Sequence, residues 1–462
     1  MRAVPTRCHD TSQRGKQLMN ETSLLARDHA HLIHSLNSSQ AHDDGHVWVK
    51  GEGAYLFDSE GRRFIDALSG LWNVVSGHGR PELVEAATKQ LKTLAYCSTY
   101  AGSSNARVIE LAERLAFLTY PSINRFFFTS GGAEATETSI KTARSFWNSK
   151  GQPEKNKVIS RQWGYHGTTL AALSCTGISP YWPQFEPRVQ GVSHIPSPYP
   201  YRYEENPDEL PGRAAADELE KEILRQGPDT VAMFLAEPVQ GAGGVIVPPD
   251  GYFPRIREIC DLYNVLLVAD EVITGFGRTG KLFALDHWNV EPDIVQFAKA
   301  ITSGYFPLGG IGVNNEIAET LFENQDAWMH AFTYSGHPVG CAIAMRNLDL
   351  IETENFLQQA TDKGNFLANS LRARLSDHAH VGEVRGLGLM CAIEFVQDKT
   401  TKQEFPAEAT IGPKIQQAAA DRGLFSRLRG DVFCLAPPII SSRTILEEII
   451  NIMSDSVREV LG

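Results

Sequence analysis

Between positions 230 and 300 the chain repeats one pattern. A short run of apolar, strand-favouring residues stops at an ionisable one. VAMFLA stops at Glu237, LLVA at Asp270 and IVQFA at Lys299. Apolar runs of this length without polar alternation are strands buried on both faces. Helical spacing at 214–225 and 253–263 separates some of them, and NRFFFTSGG and KVISRQWGYHG supply further runs of the same kind. Alternating strands and helices specify a mostly parallel sheet with helices on both faces. Ligands of such sheets bind beyond the carboxyl ends of the strands. Glu237, Asp270 and Lys299 are therefore expected to gather over one sheet edge.

The flanks differ in character. GAYLFDSEGRRFIDALSG reads as a hairpin turning at Asp58 to Gly61. Helices are predicted over 81–95, opened by Pro81, and over 105–118 and 339–353. The tail mixes helices with strands such as GLMCAIEFV and DVFCLAPP, and PSPYPYRYEENPDELPG (197–212) reads as a Pro-rich surface connection. A chain of 462 residues is too long for one ordinary core. The expected division is a partly disordered or wrapping N-terminal segment (1–45), a first piece of a small domain (46–85), a large domain (86–345) and a C-terminal small domain (346–462). The small domain is of α+β type and packs with the N-terminal hairpin.

Composition narrows the function. A net charge of −12 argues against nucleic acid and anionic membrane as partners, because both need a basic face. No apolar run is long enough to span a bilayer. The seven cysteines are scattered without C-x-x-C, which reads as reduced thiols in a cytoplasmic protein. Arg2, Arg7, Arg14 and Lys16 against Asp10 are compatible with a mitochondrial transit peptide, a disordered basic tail being the simpler reading. His29, His31 and His34 are spaced suggestively, but no metal site is expected there.

One motif misleads. LLVADEVITGFGRTG contains G-x-G-x-x-G at Gly275, Gly277 and Gly280. A dinucleotide fingerprint puts its first glycine at the strand end and opens a helix with its third. Here Glu271 to Thr274 intervene, and KLFALDHWN after Gly280 is no clear amphipathic helix. These glycines are read as a structural loop.

A carboxylate and a lysine over one sheet edge suit pyridoxal 5'-phosphate (PLP). It needs a lysine for its Schiff base and an anion beside its pyridine nitrogen. FFFTSGGAEATE adds a strand, a small-residue turn and a helix, so backbone N–H groups of Gly132 and Ala133 can approach a phosphate. With SGLW, SGGAEA, GYHG, AEPVQGAGG, ADEVITGFGRTG, PDIVQFAKAITSGYFPLGG and FTYSGHP in hand, the chain resembles the class III, ω-amino-acid or amine:pyruvate, aminotransferases over about residues 45–455. The resemblance implies PLP fold type I, with a large domain around a mostly parallel sheet and a smaller α+β domain from both chain ends.

The resemblance also implies roles. Lys299 forms the Schiff base and shuttles the proton, and Asp270 pairs with the pyridinium nitrogen. Tyr165 stacks on one ring face and Val272 packs the other. Gln240 serves the phenolic oxygen, with Glu237 in the same polar network. Gly131, Gly132 and Ala133 form the phosphate cup, and Thr333 reaches the phosphate from the neighbouring subunit of a homodimer with shared sites, dimers pairing into tetramers being the further option. Trp72 and Tyr100 wall the substrate pocket. Arg427 is the mobile arginine for substrate carboxylates, and Arg429, read as facing the other way, is the fallback. The implied reaction is ping-pong transfer from a small-molecule amine or ω-amino acid to a keto acid such as pyruvate. A decarboxylase, racemase or aminomutase of the same fold is the alternative. Relatives commonly have Ser-Gly-Ser in the cup, so Gly131-Gly132-Ala133 lacks two hydroxyl donors and weaker PLP retention is expected.

Overall fold

The computed structural model describes residues 23–36, 45–100, 102–203, 210–323 and 327–462. The basic N-terminal residues lie outside the described residues. A short helix, Leu24–His31, is capped by Ser23, whose hydroxyl accepts from the Ala26 N–H.

Three strands follow: β1 (Trp48–Glu52), β2 (Tyr55–Asp58) and β3 (Arg63–Asp66). The central sheet is built from β4 (Ile123–Thr129), β5 (Lys157–Arg161), β6 (Val192–Ile195), β7 (Val231–Ala236), β8 (Leu266–Asp270), β9 (Ile294–Phe297) and β10 (Gly309–Asn314). β11 (Val381–Leu387), β12 (Met390–Phe395), β13 (Leu424–Phe425), β14 (Arg427–Arg429) and β15 (Val432–Leu435) complete the set.

The central sheet has the order β4-β10-β9-β8-β7-β5-β6. All pairs from β9 to β6 are parallel, and β10 alone runs antiparallel to both neighbours. β7, β8 and β9 are adjacent, and every residue of the three is buried, as their unbroken apolar runs require. Helices Gly132–Ser149, Arg213–Gln226 and Tyr252–Leu262 have the amphipathic spacing expected of the layers covering it.

GGIGVN, which forms β10, was not legible as a strand because glycine weakens strands. Here the glycines admit neighbouring rings and backbone. A Cβ on Gly310 would lie 2.7 Å from the Phe297 ring, and one on Gly312 equally close to Phe126.

β3 of the hairpin pairs in parallel with β13, joining the two chain ends in one sheet, and β11-β12-β15-β14 forms a separate antiparallel sheet. The 197–212 connection departs from its surface reading: Ser197 and Tyr199 are buried and bonded to Gln240 and Glu394. Among the described residues no helix is long and apolar enough to cross a membrane.

Candidate active site

A cavity of about 410 Å³ opens over the carboxyl ends of β7, β8 and β9. Lys299, Asp270, Glu237, Tyr165, Val272, Gly131, Gly132 and Ala133 all line it.

Lys299 sits two residues past β9, at φ +48°, on the first residue of a short 3-10 turn, Lys299–Thr302. This left-handed conformation is unusual for a non-glycine residue and turns the chain at the strand end. Burial pulls the ammonium down to about 8; Asp270 and Glu237 oppose the shift and Arg427 adds to it. Desolvation favours the neutral amine, the nucleophilic form.

Asp270 ends β8. One carboxylate oxygen accepts the Val272 N–H at 3.1 Å, and the other lies 2.7 Å from Nδ1 of His166. Both residues are almost fully buried, and the His166 Nε2 has no hydrogen-bond partner. Glu237 follows β7. Its oxygens accept from the N–H groups of Tyr165 (2.9 Å) and Gly241 (3.0 Å). Burial lifts its carboxyl to about 7, with Asp270 adding to the rise and His166 the leading opposition. Burial also raises the Tyr165 phenol.

The cup forms where β4 runs into the helix Gly132–Ser149. The first N–H groups of a helix have no intrahelical acceptor and carry the positive end of its dipole. Close packing forces the small residues. A Cβ on Gly132 would lie 2.8 Å from a Val272 methyl, and one on Gly167 would lie 2.6 Å from the Ala133 methyl. At Gly131 a Cβ would meet nothing within 4 Å, so that position opens onto the cavity.

Six residues named from sequence do not line this cavity. Gln240 is fully buried beside it, accepting from Ser197 Oγ at 2.6 Å and donating to the Gln162 carbonyl at 2.8 Å. Trp72 is 1% exposed and sits in the core, while its neighbours Leu71 and Asn73 carry the wall. Tyr100 is 61% exposed and lines a separate groove with Phe126, Phe127, Phe128 and Phe332. Thr333 is exposed, and its carbonyl accepts from the Tyr96 hydroxyl. Arg427, on the three-residue strand β14, stands near enough for its charge to act on Lys299 and Tyr165. Arg429 does not face the other way, because residues two apart in a strand share a face; its guanidinium lies 3.6 Å from the Trp163 ring centre.

Sequence reasoning passed over Asn73, Thr302, Phe306 and Leu308 on the wall, although three of them stand in or beside SGYFPLGG. His166 lines the wall as well, and its adjacency to Tyr165 in GYHG was the available signal. The histidine-rich N-terminus instead forms an ordinary pair, His34 with Asp28 at 2.5 Å. Among the described residues no group of three or more side chains could hold a metal.

Fold and site together define a lysine-centred enzyme of PLP fold type I. The family model for class III aminotransferases matches residues 38–457, and the chain belongs to that family. The putrescine–pyruvate aminotransferase of Pseudomonas aeruginosa is 40% identical over 435 residues, 94% of each chain. A thermostable (S)-enantioselective ω-transaminase from Thermomicrobium roseum superposes with a TM-score of 0.92 at 49% identity, over 95% of this chain and 98% of that one. The Pseudomonas jessenii ω-transaminase, solved in complex with PMP, has a TM-score of 0.92 at 35% identity, over 95% and 99% of the two chains. The protein is thus an aminotransferase acting on amines and keto acids, and class III aminotransferases use PLP.

Proposed function

We propose that this enzyme moves an amino group from a primary amine or ω-amino acid to pyruvate, with PLP held by the residues around Lys299. The observation that carries the reading is Lys299 itself. Its amine is deep in the protein, depressed to about 8, and opens on a cavity that is also lined by Asp270 and by Gly132 and Ala133 at a helix N-terminus. Those groups match what the cofactor needs: an amine for its aldehyde, an anion for its pyridine nitrogen and N–H groups for its phosphate. Asp270 would face the nitrogen, Tyr165 and Val272 the two ring faces, and Gly131, Gly132, Ala133 and Ser130 the phosphate. Gln240 retains one amide N–H beyond its bond to Gln162, the group left for the phenolic oxygen.

When bound, PLP supplies an electron sink that eases loss of a proton from the amine-bearing carbon. The Lys299 Nζ takes that proton, a task for which an amine titrating near neutrality is matched. Leu71, Phe306 and Leu308 offer apolar wall to an alkyl donor. Arg427 meets the carboxylate of the keto acid, for which a guanidinium fork is suited. The likeness to a putrescine–pyruvate aminotransferase supports a terminal diamine as donor and pyruvate as acceptor.

A homodimer with Thr333 reaching the partner's phosphate is part of the same reading. Its support is the exposed apolar surface beside that residue: Tyr334 at 60% exposure and, on the groove that Phe332 also lines, Tyr100 at 61% and Ile109 at 58%. Such a patch marks an interface. The six described cysteines, all free, support a cytoplasmic setting.

The test is a visible spectrum of the PLP-loaded protein with a panel of amines and no keto acid. Bleaching by particular amines and recovery on adding pyruvate would bear out the proposal. Bleaching that no keto acid reverses would favour a non-transaminase reaction. Light scattering tests the assembly, since a monomer would sink the shared-site reading and a tetramer would extend it.

A further inference from the structure

The glycine loop that imitates a nucleotide motif surrounds a fully buried cation. Arg278, in GFGRTG, has no solvent exposure. One terminal nitrogen donates to the Pro437 carbonyl at 2.7 Å and the Leu389 carbonyl at 3.4 Å; the other donates to Ser69 Oγ at 2.9 Å. Its Nε has no partner, and Asp66 is the carboxylate whose field supports its charge. Burying an arginine without a direct ion pair is costly, so the contacts it makes are informative.

They converge on one segment. Ser69, Gly70 and Trp72 have φ of +52°, +66° and +66°. Such conformations at non-glycine residues persist only where the surroundings impose them. Here Asp66 accepts the N–H groups of Leu68 and Gly70, at 3.3 and 2.6 Å, and is itself held by His78 Nε2 at 2.7 Å. Ser69 Oγ donates to the Ala436 carbonyl at 2.7 Å while accepting from Arg278. Beyond the strained turn, Leu71 and Asn73 form part of the cavity wall. The Arg278 loop is itself locked in place: the Leu389 N–H donates to the Arg278 carbonyl, and a Cβ on Gly388 would lie 2.3 Å from the Thr279 backbone.

We infer that Arg278 is a positioning residue for substrate selection. Through Ser69 it ties the Leu71–Asn73 wall to the 436–437 segment, so donor fit depends on a side chain that touches no part of the cavity. The inference rests on reading that cavity as the substrate site.

The test compares Arg278→Met, Arg278→Lys and Ser69→Ala with the parent, each loaded with PLP. The readouts are kcat and KM for 1,4-diaminobutane and 1-phenylethylamine at saturating pyruvate, together with the visible band and the melting temperature. Arg278→Met is expected to keep the band, to raise amine KM about tenfold with a smaller change in kcat, and to shift the selectivity ratio between the two donors. Arg278→Lys should restore part of the parent ratio, and Ser69→Ala should move it in the same direction as Arg278→Met. An unchanged ratio in Arg278→Met and Ser69→Ala, whether activity falls equally on both donors or not at all, overturns the inference. If Arg278→Met does not fold, Ser69→Ala decides alone. A parent enzyme that turns over neither amine would instead overturn the substrate reading.

Discussion

His166 Nδ1 lies 2.7 Å from Asp270 Oδ2, with both side chains withdrawn from solvent. A buried carboxylate is retained only where partners compensate it, and this histidine is one of two that Asp270 has, the other being the Val272 N–H. His166→Ala should cost about tenfold or more in kcat/KM, the size expected when a buried charged acceptor loses a partner. His166→Asn, which keeps a donor, should cost less. Steady-state kinetics on the loaded variants check this, and equal losses would show that the ring acts only by filling space.

Lys299 predicts a pH signature in the cofactor-free protein. Its amine falls from 10.5 to about 8 on folding, so below pH 8 the folded state bears the full penalty of burying the ammonium. Between pH 8 and 10.5 only the unfolded chain still binds the proton, and stability rises with pH. Lys299→Met removes the penalty. It should stabilise the apo-protein by up to about 3 kcal/mol at pH 7, with the gain vanishing as pH passes the ordinary lysine value. Denaturant melts at several pH values measure it, and a gain that does not vary with pH would contradict the cause given.

Gly132 and Val272 form a packed pair. Gly132→Ala places a methyl 2.8 Å from a Val272 methyl and should cost about 1–3 kcal/mol while lowering PLP occupancy. Val272→Ala in the same chain should recover much of that loss, and the double-mutant cycle reports the coupling. Additive effects would mean that the contact is not what excludes a larger residue.

The cup without hydroxyls at Gly131 and Ala133 predicts loose retention of PLP. Dialysis against cofactor-free buffer should fade the visible band, and a band that stays full ends the idea. Gly131→Ser has open space for its side chain and an extended backbone that any residue adopts, φ −176°. One added hydrogen bond of about 1 kcal/mol should tighten retention roughly fivefold.

Arg427→Ala separates the two half-reactions. Bleaching of the band by an uncharged-tail monoamine should persist, whereas KM for pyruvate should rise about tenfold or more as a charge-assisted bond is lost. Single-turnover spectra with each substrate distinguish these. Equal loss in both halves would assign Arg427 a structural part.

Much of the site was legible because its residues end buried strands. Glu237, Asp270 and Lys299 each interrupt or follow an apolar run, and runs of that kind have only one place in a parallel sheet. The motif SGGAEA likewise announces a strand, a tight turn and a helix start. Where local pattern was silent, reading failed or stopped. β10 was missed because GGIGVN lacks side chains to show a period. The 197–212 connection was read as surface from its prolines, although Tyr199 finds a buried carboxylate at Glu394, far along the chain.

The order of apolar and polar residues by itself determined a mostly parallel sheet whose buried strands stop at Glu237, Asp270 and Lys299, since short apolar runs alternating with helices are strands buried on both faces. Only the tertiary structure decided which groups meet across long separations. The His166–Asp270 pair, the Gly132–Val272 contact and the Arg278–Ser69–Ala436 bridge join positions that no local period relates. The first two depend on how the strand ends of the central sheet lie together and the third on how the hairpin, the glycine loop and the segment after β15 pack, and packing sets distances that a one-dimensional pattern does not contain.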